Sequence, residues 1–238
     1  LTKAAIIHMD KIHPKLNIIS KASYIPTCTN LEHFKLKEFK PVNNDEKIII
    51  SSVGTLLSGW FRLDLFKKVV NILLSNYDIY IEILTRDDPE KVMKMLDANN
   101  KFSERITVQS VLFEKIPSKI AKHHGSILFY NTDVSRLGSC PTRMGELFGV
   151  GVPILANPGV GDFKNLILEN NIGVIIENDY SLEEIEKSID TFMKLIQEKS
   201  ISKRCREIAV EFFSLESGVK NYIAIYSNTL IGKTFSNL

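Results

Sequence analysis

The sequence predicts an α/β protein built around a doubly wound, Rossmann-like parallel sheet. From residue 47 onward, short apolar runs alternate with segments in which apolar residues recur at helical spacing. The run at 47–53 is continuously apolar for most of its length, which is typical of a strand buried on both faces. Turn sequences that join neighbouring strands into hairpins are not evident. Strands that alternate with helices pair in parallel through right-handed crossovers.

The first forty residues have a different pattern. Residues 4–20 are predicted to form a helix that contains Pro14, and residues 22–26 a short strand that ends at Pro26. Residues 35–47 are charged and contain Pro41 and two asparagines, a composition typical of a linker. We therefore divide the chain into residues 1–40 and 41–238. The chain begins at Leu1 without an initiator Met, so we expect it to be part of a longer protein.

The main part of the chain alternates regularly. Strands are predicted at 47–53, 79–84, 106–108, 126–130, 153–156 and 173–176. The intervening segments are predicted to be helical, one of them beginning with Asp88 as N-cap and Pro89 in the first turn. Beyond residue 180 the pattern is helical. Ser181 and Glu184 have the spacing of a capping box, and two further amphipathic helices follow.

Composition excludes several classes of function. Among 238 residues, 30 are basic and 28 acidic, and a net charge of +2 is too balanced to indicate nucleic acid binding. The sequence has no run of 18 apolar residues, so no membrane-spanning segment is predicted. The three cysteines do not have the spacing of a metal site. Free thiols and the absence of a signal region predict a cytoplasmic location.

Residues 139–162 are the most informative segment. Pro141 opens a short helix, Glu146 lies one turn further in, and a glycine-rich break, an apolar strand and a second glycine-rich loop follow. The free N–H groups and dipole of a helix N-terminus bind phosphate. A carboxylate in the next turn can accept hydrogen bonds from both hydroxyls of a ribose. Together these features predict a site for a nucleoside diphosphate-sugar.

The same segment resembles a known family. PTRMGELFGVGVPILANPGVGD, at 141–162, is similar to the donor-nucleotide motif of GT-B glycosyltransferases of the retaining, GT4-like kind. YIPTCTNLEHF, at 24–34, resembles the interdomain segment of that family, and IIISSVGTL, at 48–56, resembles the first strand and glycine turn of its C-terminal domain. The resemblance covers most of residues 20–230. It implies that Glu146 holds the donor ribose and that no metal is required.

The resemblance also gives a meaning to the two parts of the chain. Residues 1–40 would be a remnant of the N-terminal, acceptor-side domain with the interdomain linker. Residues 41–238 would be the nucleotide-sugar-binding domain with its C-terminal helices. Two positions depart from the family pattern. Gly138 stands where many members have a second Glu, and the stretch after Gly54 lacks the usual basic pair, a charge that Arg143 or Arg62 could supply.

We expect the donor site at the carboxyl ends of the strands, where doubly wound sheets bind ligands. The candidate donor-binding residues, taken from the loops and the helix at that edge, are Glu146, Arg143, Thr142, Gly54, Thr55 and Arg86. Each also has a structural interpretation: a solvated helix carboxylate, a surface cation, a capping hydroxyl, a tight turn or a solvated loop. Trp60 lies in the first of these loops and would either stack on a ligand or be buried against a helix.

These observations favour a glycosyltransferase that moves a hexose-type sugar from a nucleoside diphosphate to a hydroxyl of a glycan, lipid or small molecule. The sugar donor is a substrate, and neither a cofactor nor a metal is expected. No catalytic residue is assigned, and we expect this half to be inactive alone. The alternatives are a nucleotide-sugar epimerase or hydrolase of the same fold and a non-catalytic nucleotide-binding or scaffold module. Peripheral contact with the inner face of a membrane, through the preceding domain, is left open.

One expectation concerns Glu146 in particular. If its carboxylate holds the ribose, Glu146→Gln should weaken nucleotide binding. Folding should hardly change, because a helix carboxylate near the surface contributes little to stability.

Overall fold

The structure is a computed structural model that describes residues 2–36, 47–97 and 99–230. The predicted boundary between residues 40 and 41 lies outside the described residues, so that division stays a prediction. The strands of the described residues are β1 Ile48–Val53, β2 Ile79–Leu84, β3 Ile106–Gln109, β4 Gly125–Leu128, β5 Ile154–Ala156 and β6 Gly173–Ile175. They form one sheet in the order β3-β2-β1-β4-β5-β6, in which every neighbouring pair is parallel.

The doubly wound parallel sheet predicted from the alternating pattern is therefore confirmed. The central strands have almost no exposed surface: all four residues of β4 and all three of β5 are buried. A strand covered on both faces gains from apolar residues at every position, which is why these strands appear as continuous apolar runs.

The prediction of a short strand at 22–26 is wrong. That segment forms no strand, and the isolated bridge of Thr29 with Ser214 is the nearest pairing.

The helices, in chain order, are α1 Lys3–Ile12, α2 Leu63–Asn76, α3 Pro89–Leu96, α4 Ile116–Ile120, α5 Thr142–Gly149, α6 Phe163–Asn170, α7 Leu182–Leu195, α8 Ile201–Phe213 and α9 Leu215–Leu230. The predicted caps are present. Asp88 accepts hydrogen bonds from the amides of Glu90 and Lys91, and Ser181 forms the capping box with Glu184. The first helix is shorter than predicted because Pro14 cannot continue it, and a 3₁₀ turn follows at Pro14–Leu16.

The strand order places the helices on both faces of the sheet. Crossovers move outward from β1 to β2 and β3 in one direction and from β4 to β5 and β6 in the other, and crossovers between parallel strands are almost always right-handed. The helices of the two halves therefore cover opposite faces. After β6, α7 returns to pack on α2, and α8 packs on α5. The direction of winding reverses between β1 and β4, so the loops after these strands leave an open crevice at the carboxyl edge.

The segment before the main domain is joined to this core. Leu31 and Phe34 are buried in the same apolar cluster as the sheet. The guanidinium group of Arg206, on α8, donates hydrogen bonds to the carbonyl oxygens of Phe34 at 2.6 Å and of Gly149 at 2.7 Å. These contacts hold the segment around residue 34 against the C-terminal end of α5.

Candidate functional site

The N-terminus of α5 lies at the carboxyl edge of the sheet and has no side-chain cap. Pro141 occupies the N-cap position, where a serine or aspartate would normally accept a hydrogen bond from the first turn. Thr142, expected either to cap the helix or to bind the donor, is exposed and makes no capping hydrogen bond. The first amides of α5 are therefore available to an anion. Cavities lie on either side of this helix end.

The larger cavity, of about 390 Å³, lies beyond the ends of β1, β2 and β3. Four of the six predicted donor-binding residues line it, namely Gly54, Thr55, Arg86 and Arg143. Its remaining walls are mainly apolar and include Phe113. Thr142 and Glu146 are not among its lining residues. The cavity thus combines two cations with an apolar slot, a combination suited to a flat ring joined to phosphate groups.

Glu146 is buried, with 8% of its surface exposed, which excludes the interpretation as a solvated helix carboxylate. Its Oε2 accepts a hydrogen bond from Nη1 of Arg143, one turn earlier on α5. Burial raises the pKa of Glu146, although the nearby charges of Arg143 and His33 act in the opposite direction. The expectation that this carboxylate lies near the surface is therefore wrong. Because Arg143 lines the larger cavity and Glu146 does not, a ligand there would contact Arg143, which holds Glu146 through this hydrogen bond.

The glycine turn after β1 has a specific local structure. Gly54 has φ +128°, a backbone conformation that favours glycine. Two amides of the turn are already occupied: Oδ2 of Asp87 accepts hydrogen bonds from the backbone of Leu56 at 2.6 Å and of Leu57 at 3.1 Å. The carboxylate of Asp87 thus satisfies the hydrogen bonding of these two amides. The amide of Gly54 is also occupied, because it donates a hydrogen bond to the carbonyl oxygen of Leu84 at 2.9 Å. Approach of a phosphate to the amides of this turn is therefore restricted to Thr55.

His33 and Phe113 form an aromatic pair that the sequence patterns did not indicate. Their rings are stacked, with centroids 5.0 Å apart and planes inclined by 24°. Nε2 of His33 is buried and has no hydrogen-bond partner among the described residues. Phe113 lines the larger cavity. His33 belongs to the segment that resembles an interdomain connection, but nothing in its spacing relates it to a loop eighty residues away.

The smaller cavity, of about 340 Å³, lies at the crevice between β1 and β4. Trp60 comes from the loop after β1, and Tyr130 and Arg136 come from the chain after β4. The guanidinium carbon of Arg136 lies 3.3 Å from the ring centroid of Trp60, which is 57% exposed. Of the two interpretations of Trp60, burial against a helix is therefore wrong. Burial raises the pKa of Tyr130 to about 12, so its phenol is neutral near pH 7.

Arg136 was not among the predicted site residues. It lies in the loop at 131–142, which follows the strand predicted at 126–130, and a lone cation in a loop at the carboxyl edge is the signal that could have indicated it. Arg62, considered as a source of positive charge, instead hydrogen-bonds Asn178.

Within 2–36, 47–97 and 99–230, groups of three or more His, Cys, Asp or Glu side chains placed to hold a metal ion are absent. No helix in these ranges has the length and apolar character needed to span a membrane.

No protein-family model matches the sequence, and no curated protein does either. Solved structures do match the fold. A glycosyltransferase from Rickettsia africae ESF-5 matches with a TM-score of 0.66 and 18% identity, over 87% of this chain and 57% of that one. The C-terminal domain of a group 1 glycosyl transferase, LpcC from Francisella tularensis, matches with a TM-score of 0.58 and 14% identity, over 79% of this chain and 99% of that domain.

A third structure, S. aureus TarM in complex with Fondaparinux, alpha-GlcNAc-glycerol and UDP, matches with a TM-score of 0.57 and 16% identity. The match covers 89% of this chain and 41% of TarM. This chain spans about half the length of the complete glycosyltransferases that it matches. The fold of the chain is that of the C-terminal domain of GT-B glycosyltransferases. The predicted fold class, a doubly wound sheet of the kind found in the C-terminal domain of GT-B proteins, is thereby confirmed.

Proposed function

We propose that this chain is the donor-binding half of a glycosyltransferase of the retaining, GT4-like kind. It would hold a nucleoside diphosphate-sugar while the sugar moves to a hydroxyl of an acceptor. The observation that carries the proposal is the uncapped N-terminus of α5 between two cavities at the carboxyl edge of the sheet. This is the place where a doubly wound sheet binds a nucleotide, and the GT-B fold supports the same ligand class.

The two cavities suggest how the donor lies. The nucleoside would occupy the larger cavity, with its base against the apolar wall and its ribose near the Arg143–Glu146 pair. The diphosphate would lie at the first amides of α5. The sugar would then extend into the smaller cavity beside Trp60. This orientation uses each predicted donor-binding residue that lines the larger cavity, and Thr142 through its backbone.

The role of these groups in the reaction would be electrostatic. Negative charge grows on the diphosphate as the bond to the sugar breaks, and fixed N–H dipoles and cations stabilise that charge. Arg143, Arg86 and the α5 N-terminus would supply the positive potential, so we propose a reaction without a metal cofactor. Arg143 must release Glu146, at least in part, if Glu146 is to accept hydrogen bonds from the ribose. We assign no catalytic base to this chain.

A thermal-shift screen tests the proposal directly. The chain is mixed with UDP, GDP, ADP and CMP and with a sugar conjugate of each, in the presence and absence of EDTA. A ligand at 100 times its dissociation constant stabilises a protein by roughly 2.7 kcal/mol. We expect at least one nucleotide to raise the melting temperature, equally with and without EDTA. The absence of a shift with every nucleotide would refute donor binding, and a shift abolished by EDTA would refute the metal-free form.

A non-catalytic nucleotide-binding module of the same fold is the second candidate. Two observations favour it: Gly138 replaces a family carboxylate, and Asp87 occupies amides of the glycine turn. The two candidates differ in turnover and not in binding. Hydrolysis or transfer of the sugar by the full-length protein, followed by release of nucleoside diphosphate, supports the enzyme. Tight binding with no release of nucleoside diphosphate supports the module.

The acceptor and the location belong to the same proposal. TarM is bound to alpha-GlcNAc-glycerol and Fondaparinux, which supports a glycan or a related hydroxyl compound as the kind of acceptor. We propose a cytoplasmic location, which the three free thiols, Cys28, Cys140 and Cys205, support. Any peripheral attachment to the inner face of the membrane would come, in this proposal, through the preceding domain. Fractionation of cells that express the complete protein tests the cytoplasmic location and the membrane attachment.

A further inference from the structure

Arg136 is a buried cation whose charge is poorly matched by its surroundings. Only 9% of its side chain is exposed, and its Nε has no hydrogen-bond partner among the described residues. Burying a charged group without hydrogen bonds is costly, and native proteins usually pair such groups. The guanidinium group lines the smaller cavity. A buried cation that lacks a partner at Nε is therefore next to a space large enough for a ligand.

The neighbours of Arg136 hold it in place without neutralising it. The guanidinium carbon lies over the Trp60 ring, 3.3 Å from its centroid, and this cation–π contact attracts the group but leaves its N–H groups to find other acceptors. Oδ2 of Asp133 is 3.8 Å from Nε, beyond hydrogen-bond distance. Asp133 is also half-exposed, and its other oxygen already accepts hydrogen bonds from Ser135 and the backbone of Arg136. This carboxylate is thus a weak partner.

We propose that Arg136 is the receptor for an oxyanionic group of the bound ligand in the smaller cavity. The position of this site next to α5 assigns the group to the donor, and to that extent the inference rests on the proposed function. Two parts of a donor carry this chemistry: the phosphate nearer the sugar and the carboxylate of an acidic sugar. Both match the planar fork of a guanidinium, which binds such groups through two parallel hydrogen bonds.

Trp60 provides the measurement, because it is the only tryptophan of the chain and is stacked on Arg136. Its fluorescence is followed while the protein is titrated with pyrophosphate, glucuronate, UDP, UDP-glucose and UDP-glucuronate. The variants are Arg136→Gln, which removes the charge, and Arg136→Lys, which keeps it but loses the fork. Arg204→Gln is the matched control, since Arg204 pairs with Glu198 away from both cavities. Circular dichroism shows that each variant is folded.

If the phosphate is the bound group, Arg136→Gln weakens the binding of pyrophosphate, UDP and UDP-glucose at least tenfold. If the carboxylate is the bound group, only the binding of glucuronate and UDP-glucuronate is weakened to that extent. In either case the affinities of Arg136→Lys lie between those of the wild type and of Arg136→Gln. Arg136→Lys therefore provides the test should Arg136→Gln not fold. Equal affinities for wild type and both variants, or no response of the wild-type protein to any probe, overturn the inference.

The outcome also separates this inference from the proposed function. Binding of pyrophosphate or glucuronate that depends on Arg136, without binding of any nucleotide in the screen, supports the oxyanion site and refutes the donor role. Binding of UDP that is unaffected by Arg136→Gln, together with equal affinities for glucuronate and UDP-glucuronate, supports the donor role and refutes the oxyanion site.

Discussion

Glu146 is a buried carboxylate, and its burial and its charge together determine how its replacement should affect the stability of the fold. Its pKa is raised in the folded protein, so the folded state holds the proton more tightly than the unfolded state. Near neutral pH the carboxylate therefore does not stabilise the fold, despite its hydrogen bond with Arg143. A neutral side chain of the same size should be tolerated, for a reason different from the surface location predicted from the sequence.

We accordingly predict that Glu146→Gln keeps, or slightly raises, the melting temperature at pH 7 while it weakens nucleotide binding. A charge-assisted hydrogen bond contributes about 1.5–3 kcal/mol, so the affinity for the nucleotide found in the screen should fall roughly tenfold or more. Calorimetric titration and a melting curve measure the two effects separately. Unchanged affinity in a folded variant would show that Glu146 does not contact the ribose.

Glu82 has the opposite electrostatic character. Its Oε2 lies 2.5 Å from Nε2 of His123, and Lys119 Nζ lies 3.4 Å from its other oxygen. The hydrogen bond with His123, which is the largest influence, lowers the pKa of Glu82 below its ordinary value of 4.5. The stabilisation that Glu82 provides is therefore present above about pH 4.5 and is lost as the pH falls through the lower pKa of the folded state.

We predict that, as the pH is lowered below about 4.5, the free energy of unfolding of the wild-type protein falls more steeply than that of Glu82→Gln. The glutamine cannot be protonated in this range, so its contribution stays constant. Urea denaturation at several pH values measures the difference. Glu104→Gln, at an exposed position near the start of β3, should retain the steep dependence of the wild type. Parallel curves for wild type and Glu82→Gln would disprove the assignment.

At the scale of single residues, the sequence predicted which side chains reach the site better than how they are arranged there. Three of the four predicted residues that line one cavity follow β1 and β2, because the carboxyl ends of parallel strands lie at the same edge of a sheet, and Arg143 comes from α5 at that edge. The burial of Glu146 and the stacking of Arg136 on Trp60 could not be predicted. Both depend on packing between segments that are far apart in the sequence.

Among the elements, α5 is the one whose packing most directly supports the site. Its residue Gly145 faces the segment around Thr29 and the helix α8. A Cβ atom placed on Gly145 would lie 2.5 Å from Oγ1 of Thr29 and 3.1 Å from Cβ of Phe213. The first distance is shorter than any normal contact, so the glycine is required for close packing of the three elements. This close packing fixes α5, and with it Arg143 and Glu146.

We predict that Gly145→Ala destabilises the protein by about 1–3 kcal/mol, the usual range for overpacking. The change raises intrinsic helix propensity by up to about 1 kcal/mol, so an isolated helix would become more stable, not less. Gly59→Ala is the control, because a Cβ atom there has no neighbour within 4 Å. Denaturant unfolding of both variants measures the effects. A stabilising Gly145→Ala would show that the contact with Thr29 relaxes at little cost.

The elements themselves show what sequence patterns can and cannot predict. The strands of the sheet and the caps at Asp88 and Ser181 were predicted because their signals are local: continuous apolar runs and a side chain two or three residues from the amide it caps. The strand at 22–26 was predicted wrongly because strand formation requires a partner. The segment that follows it is placed against α5 and α8, and a helix offers no ladder of free backbone groups.

At the scale of the whole molecule, one apolar core extends through both parts of the sequence. Leu31 and Phe34 precede the predicted boundary, yet they are buried with residues of the sheet and of α8. The aromatic ring of Phe34 also meets Phe113, with centroids 6.2 Å apart. A segment that the resemblance assigns to the acceptor-side domain and linker therefore contributes to the stability of the sheet domain and supports a wall of the larger cavity.

We predict that Phe34→Ala lowers the free energy of unfolding of the whole chain by about 3–5 kcal/mol, the usual cost of removing a buried phenylalanine. Because the core is continuous, the loss should appear in a single transition that is the same by circular dichroism, which reports the helices and sheet, and by Trp60 fluorescence, which reports the carboxyl edge. Ile7→Ala is the control, since Ile7 on α1 is 60% exposed and should have little effect. If residues before the boundary were structurally independent, Phe34→Ala would leave the unfolding of the sheet unchanged. Separate transitions by the two probes would likewise contradict a single core and would show that the carboxyl edge can unfold by itself.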